Sequence, residues 1–183
     1  CVFPYFASVP RTNEFPADRH GEFAFVLAGV YASDPGAGRR ELDRFRDHSK
    51  AFAASTEAMS YTELQSLSDG DFPAGRRYYW KSVPLSELTD DAIAELRAAA
   101  ERSPSARSTL VVWPMHGAVE RAPDISGPVV GRDAAAVVNV EAAWDDPEAT
   151  TANVEWVRET CGRFRDLEAT SGTLPNFAGG RDP

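Results

Sequence analysis

Arg76-Arg77-Tyr78-Tyr79-Trp80-Lys81 places three large aromatic side chains among three cations in six consecutive residues. On a strand, alternation sends Tyr78 and Trp80 to one face and Arg77, Tyr79 and Lys81 to the other. One face suits a core. The other presents polar tips to a cleft, where a phenol or an ammonium group orients a substrate or moves a proton. Core packing alone accounts for the aromatics equally well. His116 has a side chain whose ordinary pKa suits base chemistry near neutrality, and its alternative role is that of a hydrogen-bonded structural histidine. His20, His48 and His116 are far apart and none stands at a metal-ligand spacing from Cys1 or Cys161, so no metal site is expected. His48, among Arg44, Arg46 and Lys50, reads as a residue of a solvated helix face.

Two other patterns fail a chemical test. Gly36-Ala37-Gly38-Arg39-Arg40-Glu41 follows a strand and opens a helix, as a dinucleotide fingerprint does. Its third glycine is replaced by Glu41, whose charge and size oppose a pyrophosphate. The only lysines are Lys50 and Lys81, so there is no phosphate-loop Lys-Ser pair. No Gly-x-Ser-x-Gly elbow is present to carry a hydrolase nucleophile.

The elements that must position these residues alternate between strand and helix. Residues 1–22 carry prolines at 4, 10 and 16 and read as an extended entry segment. Phe23 to Tyr31 is rich in strand formers. Arg39 to Ala54 reads as a helix with Leu42, Phe45 and Phe52 at helical spacing, and Tyr61 to Leu67 as a shorter one. Arg77 to Val83 is a strand. Thr89 caps a helix whose buried stripe is expected at Ile93, Leu96 and Ala100. Ser108 to Met115 is a strand, with Gly117 to Ala122 continuing or pairing with it. Ala134 to Trp144 is the longest strand. Asp146 and Pro147 open a last helix with its apolar stripe at Val154, Val157, Cys161 and Phe164. This order permits a parallel or an antiparallel sheet.

Composition bounds the function classes. The 183 residues, 43% of them hydrophobic, suffice for one domain with its own core and exclude a disordered chain. With 28 acidic against 19 basic residues, the net charge is −9, and nucleic acid is not an expected partner. The longest apolar run, residues 23–32, is about half a membrane span, so no membrane partner is expected either. Two cysteines suit free thiols in a reducing compartment, and the expected location is cytoplasmic. The start at Cys1 and the end at Arg181-Asp182-Pro183 suggest a piece of a longer protein.

Taken in order, Met59-Ser60-Tyr61-Thr62-Glu63-Leu64-Gln65-Ser66, Phe72-Pro73-Ala74-Gly75-Arg76-Arg77-Tyr78-Tyr79-Trp80-Lys81-Ser82 and Leu88-Thr89-Asp90 resemble one family. It is the berberine-bridge-enzyme-like, FAD-linked oxidases of the vanillyl-alcohol-oxidase superfamily. The similarity continues through Met115-His116-Gly117-Ala118-Val119, Gly131-Arg132-Asp133-Ala134, Trp144 and Val154-Glu155-Trp156-Val157-Arg158, and covers about residues 23–177. The resemblance implies an α+β fold with a mainly antiparallel sheet and helices packed on one face, the other face covering the flavin. Residues 23–177 then form the substrate-binding domain and residues 178–183 a truncated tail. FAD is implied as the cofactor, held mainly by a domain absent from this chain, and that FAD-binding domain and a small-molecule substrate are the implied partners. The reaction implied is oxidation of an alcohol or amine carbon, with a base removing a proton and hydride passing to the flavin.

The resemblance also implies where the site lies and where this chain departs from it. The family's Tyr-x-Asn element falls on Leu174-Pro175-Asn176-Phe177, which keeps the asparagine and lacks the tyrosine. The position of a carboxylate base in some members falls on Pro114. His116 and Tyr79 are therefore the candidate catalytic residues, with Tyr61 a further proton acceptor. Tyr61, Gln65 and Lys81 are the candidate substrate contacts, and Asn176 the candidate contact to cofactor. The chain alone is expected to be inactive. The competing expectation is a free-standing, non-catalytic ligand-binding or oligomerising α+β domain.

Overall fold

A computed structural model describes residues 1–48, 50–117 and 134–168. Within them, five strands form one sheet in the order β2-β1-β4-β5-β3, every adjacent pair antiparallel. The strands are β1 (Val2–Ser8), β2 (Phe23–Gly29), β3 (Arg77–Leu85), β4 (Thr109–Pro114) and β5 (Ala136–Trp144). The helices are α1 (Pro35–His48), α2 (Tyr61–Ser66), α3 (Asp90–Glu101) and α4 (Thr150–Glu168). The fold is α+β with helices against one face of an antiparallel sheet, as the resemblance implies.

The segment read as an extended entry supplies β1, which lies inside the sheet between β2 and β4. Its prolines do not prevent this. Pro4 lies opposite Leu27, while Pro10 and Pro16 fall in the connection to β2. That connection closes on Gly21, whose φ of 84° suits glycine, with Gly21 N–H donating to Val9 O at 3.0 Å.

Each well-formed helix starts where its sequence supplies a cap. Asp34 accepts from Ala37 N at 2.7 Å ahead of α1. Ser60 and Glu63 exchange the two bonds of a capping box at α2. Thr89 accepts from Ala92 N at 3.2 Å at α3. Asp146 and Pro147 open a 3₁₀ turn, Pro147–Ala149, that runs into α4.

The core lies between the sheet and α3 and α4. Val83 and Leu85 of β3, Leu110 and Val112 of β4, and Val138 and Val140 of β5 face Val157, Cys161 and Phe164 of α4. Trp156 Nε1 donates to Ala99 O at 3.0 Å and ties α4 to α3. On α3 the buried residues are Ala92, Leu96, Ala99 and Ala100, whereas Ile93 is exposed. Of the expected stripe, Leu96 and Ala100 are buried, while Ala92 takes the buried position expected for Ile93. Phe52 falls outside α1 and is also exposed. No helix among the described residues is long and apolar enough to cross a membrane.

Candidate functional site

Strand alternation leaves a second sheet face, turned away from α3 and α4. Register builds it in rows. Tyr5, Val111, Asn139 and Ser82 stand side by side across β1, β4, β5 and β3. The next row carries Thr109, Glu141 and Trp80. On the other side of the Asn139 row come Trp113, Val137 and Pro84, with the Phe3 ring stacked on Trp113 at 4.9 Å. Glu141 is the one charged strand residue on this face among the described residues.

Its surroundings are specific. Thr109 Oγ1 donates to Glu141 Oε2 at 2.9 Å, and Asn139 Nδ2 donates to Glu141 Oε1. Asn139 is 1% exposed, and its Oδ1 has no hydrogen-bond partner among the described residues. An unpaired buried acceptor costs about 1–3 kcal/mol. Burial pushes the Glu141 carboxyl above its ordinary value, against the pull of the Thr109 and Asn139 bonds. No cation pairs with it among the described residues. Burial, with Asp71 nearby, likewise raises the Tyr5 phenol.

The charges at one end of this face are already engaged. Arg76 Nε and Arg107 Nε bind the two oxygens of Asp145 at 3.1 and 2.8 Å, and both arginines hold its carboxyl below the usual range. Arg77 donates to Asp145 O at 2.8 Å, and Tyr78 Oη to Pro73 O at 3.0 Å. These bonds fix the start of β3 and the turn before it.

The residues expected from the sequence do not meet in one cleft. Tyr79 and Lys81 point to the helix side, where Tyr79 is buried in the core. Arg158 Nε lies 3.4 Å from the Tyr79 hydroxyl, and the Lys81 ammonium lies 5.6 Å from the ring centroid. The alternation expected for this strand holds, and the face carrying Tyr79 and Lys81 is the one that α4 covers. His116 is exposed just past the end of β4, which pairs with Ala136, whereas Tyr79 pairs with Ala142. Six residues of strand, about 20 Å, separate the two positions. Tyr61 and Gln65 share one side of α2, both exposed. Asn176 lies outside the described residues, as do Leu174 and Phe177.

Sequence reading passed over Asn139 and Glu141. The signal was present, since they are the two polar residues in an otherwise apolar nine-residue strand, and their i,i+2 spacing places them on one face. A strand buried on both faces has little reason to carry them for packing.

For FAD, the second face fits one part of the cofactor. Half-exposed Tyr78 and Trp113 and exposed Trp80 suit a flat ring. A pyrophosphate finds no cradle among the described residues. The start of α1 is already filled by the Asp34 carboxylate. Gly38 there serves a close approach, because a Cβ at that position would come within 3.0 Å of the Tyr31 side chain.

Comparison with solved structures gives the same architecture in larger proteins. BBE-like #28 from Arabidopsis thaliana superposes with a TM-score of 0.66 at 16% identity, over 96% of this chain and 38% of that one. The chain has the fold of the BBE-like proteins. Berberine bridge enzyme from Eschscholzia californica gives a TM-score of 0.67 at 12% identity, over 94% of this chain and 35% of its own. CrmK, a flavoenzyme involved in shunt product recycling in caerulomycin biosynthesis, gives 0.61 at 18%, over 96% and 37%. At these identities the shared property is the fold, and the chain spans little more than a third of each protein. No protein-family model matches the sequence, and no curated protein matches it by sequence.

Proposed function

We propose that this chain is the substrate-binding part of an FAD-dependent oxidoreductase that oxidises an alcohol or amine carbon, and that it works together with an FAD-binding domain. One observation carries the reading. In a fold shared with a flavoenzyme, the sheet face turned away from α3 and α4 holds a half-buried carboxylate, Glu141, between two fixed donors. FAD, when bound, supplies the hydride acceptor.

The chain's own residues do the rest. Glu141 takes the proton from the substrate hydroxyl or amine, a task for which a carboxyl raised above its ordinary value is suited. Thr109 and Asn139 hold the carboxylate in place throughout. Tyr78, Trp80 and Trp113 cover the reacting groups and exclude water. Tyr79 and Lys81 serve by holding β3 against α4. Asn176 keeps its proposed role as a contact to flavin, and His116, exposed just past the end of β4, that of a contact to substrate and a second proton acceptor.

The test is flavin content. The polypeptide from the whole reading frame is expected to purify yellow with FAD bound. A colourless polypeptide that stays colourless after FAD is added defeats the reading.

A further inference from the structure

Among the described residues, β2 and β3 are the edge strands of the sheet, and they are built differently. β3 carries Arg77, Lys81 and Pro84, the charges and proline that keep an edge from pairing with another chain. β2 reads Phe23-Ala24-Phe25-Val26-Leu27-Ala28-Gly29, with no charge, no proline and an unbroken register to β1. Its hydrogen bonds show which groups face outwards. Cys1 and Val30 exchange two bonds at 2.8 Å, and Val9 N–H donates to Glu22 O at 2.9 Å. Alternation then turns the backbone groups of Ala24, Val26 and Ala28 to β1 and those of Phe23, Phe25, Leu27 and Gly29 to the outer edge. The Phe25 and Leu27 side chains, 60% and 43% exposed, stand on the helix side of the sheet, where the Phe25 ring meets that of Phe6 at 5.5 Å. Ile93 of α3, also exposed, continues this apolar surface along the groove beside Phe6.

We propose that β2 pairs with β2 of a second copy of this chain, antiparallel about Val26, and joins the two sheets edge to edge. The strand is complementary to itself in this register. Phe25 pairs with the partner's Leu27, and Phe23 with the partner's Gly29. All four have their N–H and C=O turned outwards, so each of these groups gains a hydrogen bond. Phe25 and Leu27 of the two copies then cover one another on the helix side. Charge does not oppose the pairing. The strand itself carries none, and Glu22 is paired with Arg19 at 3.2 Å. The two copies of Glu22 fall at opposite ends of the paired strands, roughly 27 Å apart. An isologous contact of this kind uses both outer edges and closes at two copies. Two strands of this length form a small interface, below about 1,200 Å², so the dimer is expected to be reversible, with a Kd between about 10 µM and about 1 mM. The pairing needs no flavin and is independent of the oxidoreductase activity.

The experiment is sedimentation equilibrium of the 183-residue chain from about 10 µM to about 1 mM, in about 0.15 M salt to screen the net charge of −9. The mass is expected to rise from that of one chain towards that of two. Amide hydrogen exchange identifies the surface. The Phe25 and Leu27 amides, which do not bond to β1, are expected to slow at least about twofold between the lowest and the highest concentration. Phe25→Lys and Leu27→Lys each put a cation on an exposed position of the edge, and each is expected to weaken association at least about tenfold while the fold is kept. Either variant suffices if the other does not fold, and the exchange measurement on the wild-type chain needs neither. A chain that stays monomeric at the highest concentration overturns the proposal. So does slowing centred outside Phe23–Gly29, or undiminished association of a folded lysine variant.

Discussion

Phe164 and Trp80 lie on opposite sides of the sheet, and replacing each by alanine tests which side is core. Phe164 is fully buried on α4 and packs against the helix-side residues of β3 and β5. Truncation removes most of an aromatic ring from a close-packed site, which costs about 3–5 kcal/mol once the cavity is included. For a domain of this size each kcal/mol lowers the melting temperature by about 2–4 °C, so Phe164→Ala is expected to melt roughly 6–20 °C lower. Trp80 is 38% exposed on the second face, and no side-chain hydrogen bond holds it among the described residues. Its replacement is expected to cost about 1 kcal/mol or less. Thermal melts followed by circular dichroism in one buffer give both numbers. Equal losses for the two variants, or a larger loss for Trp80→Ala, would refute the division into a structural face and a working face.

Other consequences are open to direct measurement. Burial pushes the Cys161 thiol up to about 11, so at pH 8 only about one molecule in a thousand carries its thiolate. A thiol reagent is expected to label exposed Cys1 alone in the native chain and both cysteines in denaturant, and rapid native labelling of Cys161 would contradict the packing of α4. The Glu141 carboxyl is raised on folding, so its contribution to stability is complete below the unfolded pKa and is lost as pH rises through the folded one. Glu141→Gln is therefore expected to melt at or above wild type at pH 7, with the gap closing as pH falls towards 4; a clear loss at pH 7 would show that the ionised form stabilises the fold. Thr89→Ala deletes the cap bond to Ala92 N and is expected to cost about 1 kcal/mol in denaturant unfolding, and no change would mean that the start of α3 is held otherwise.

The sequence announced α2, α3 and α4 well, because each carries its own punctuation, whereas the helix expected over Arg39 to Ala54 runs Pro35–His48. Thr89, Ser60 with Glu63, and Asp146 with Pro147 all act as caps where the chemistry says they should. The strands Arg77–Leu85 and Ala136–Trp144 were legible from alternation and strand-forming residues. β1 was not, since prolines at 4, 10 and 16 mask a strand whose partners are distant in sequence, at Phe23–Gly29 and Leu110–Val111. Which aromatic face of β3 becomes core was also beyond local reading, because α4, some 70 residues later, decides it. The proposed site was hidden for a related reason. Thr109 and Glu141 are 32 residues apart and meet only through the β4–β5 register. His116 and Tyr79 are evident from residue type alone, and the register places them near opposite ends of the sheet.

The most direct measurement of the central claim is anaerobic reduction of bound flavin in the full-length polypeptide, wild type and Glu141→Gln, against a panel of primary and secondary amines and alcohols. Wild type is expected to bleach with at least one of them. The variant is expected to carry the same flavin and bleach about 10²–10⁴ times more slowly with that compound. Bleaching at the wild-type rate by a variant with full flavin content would contradict the role given to Glu141 and the face on which it stands.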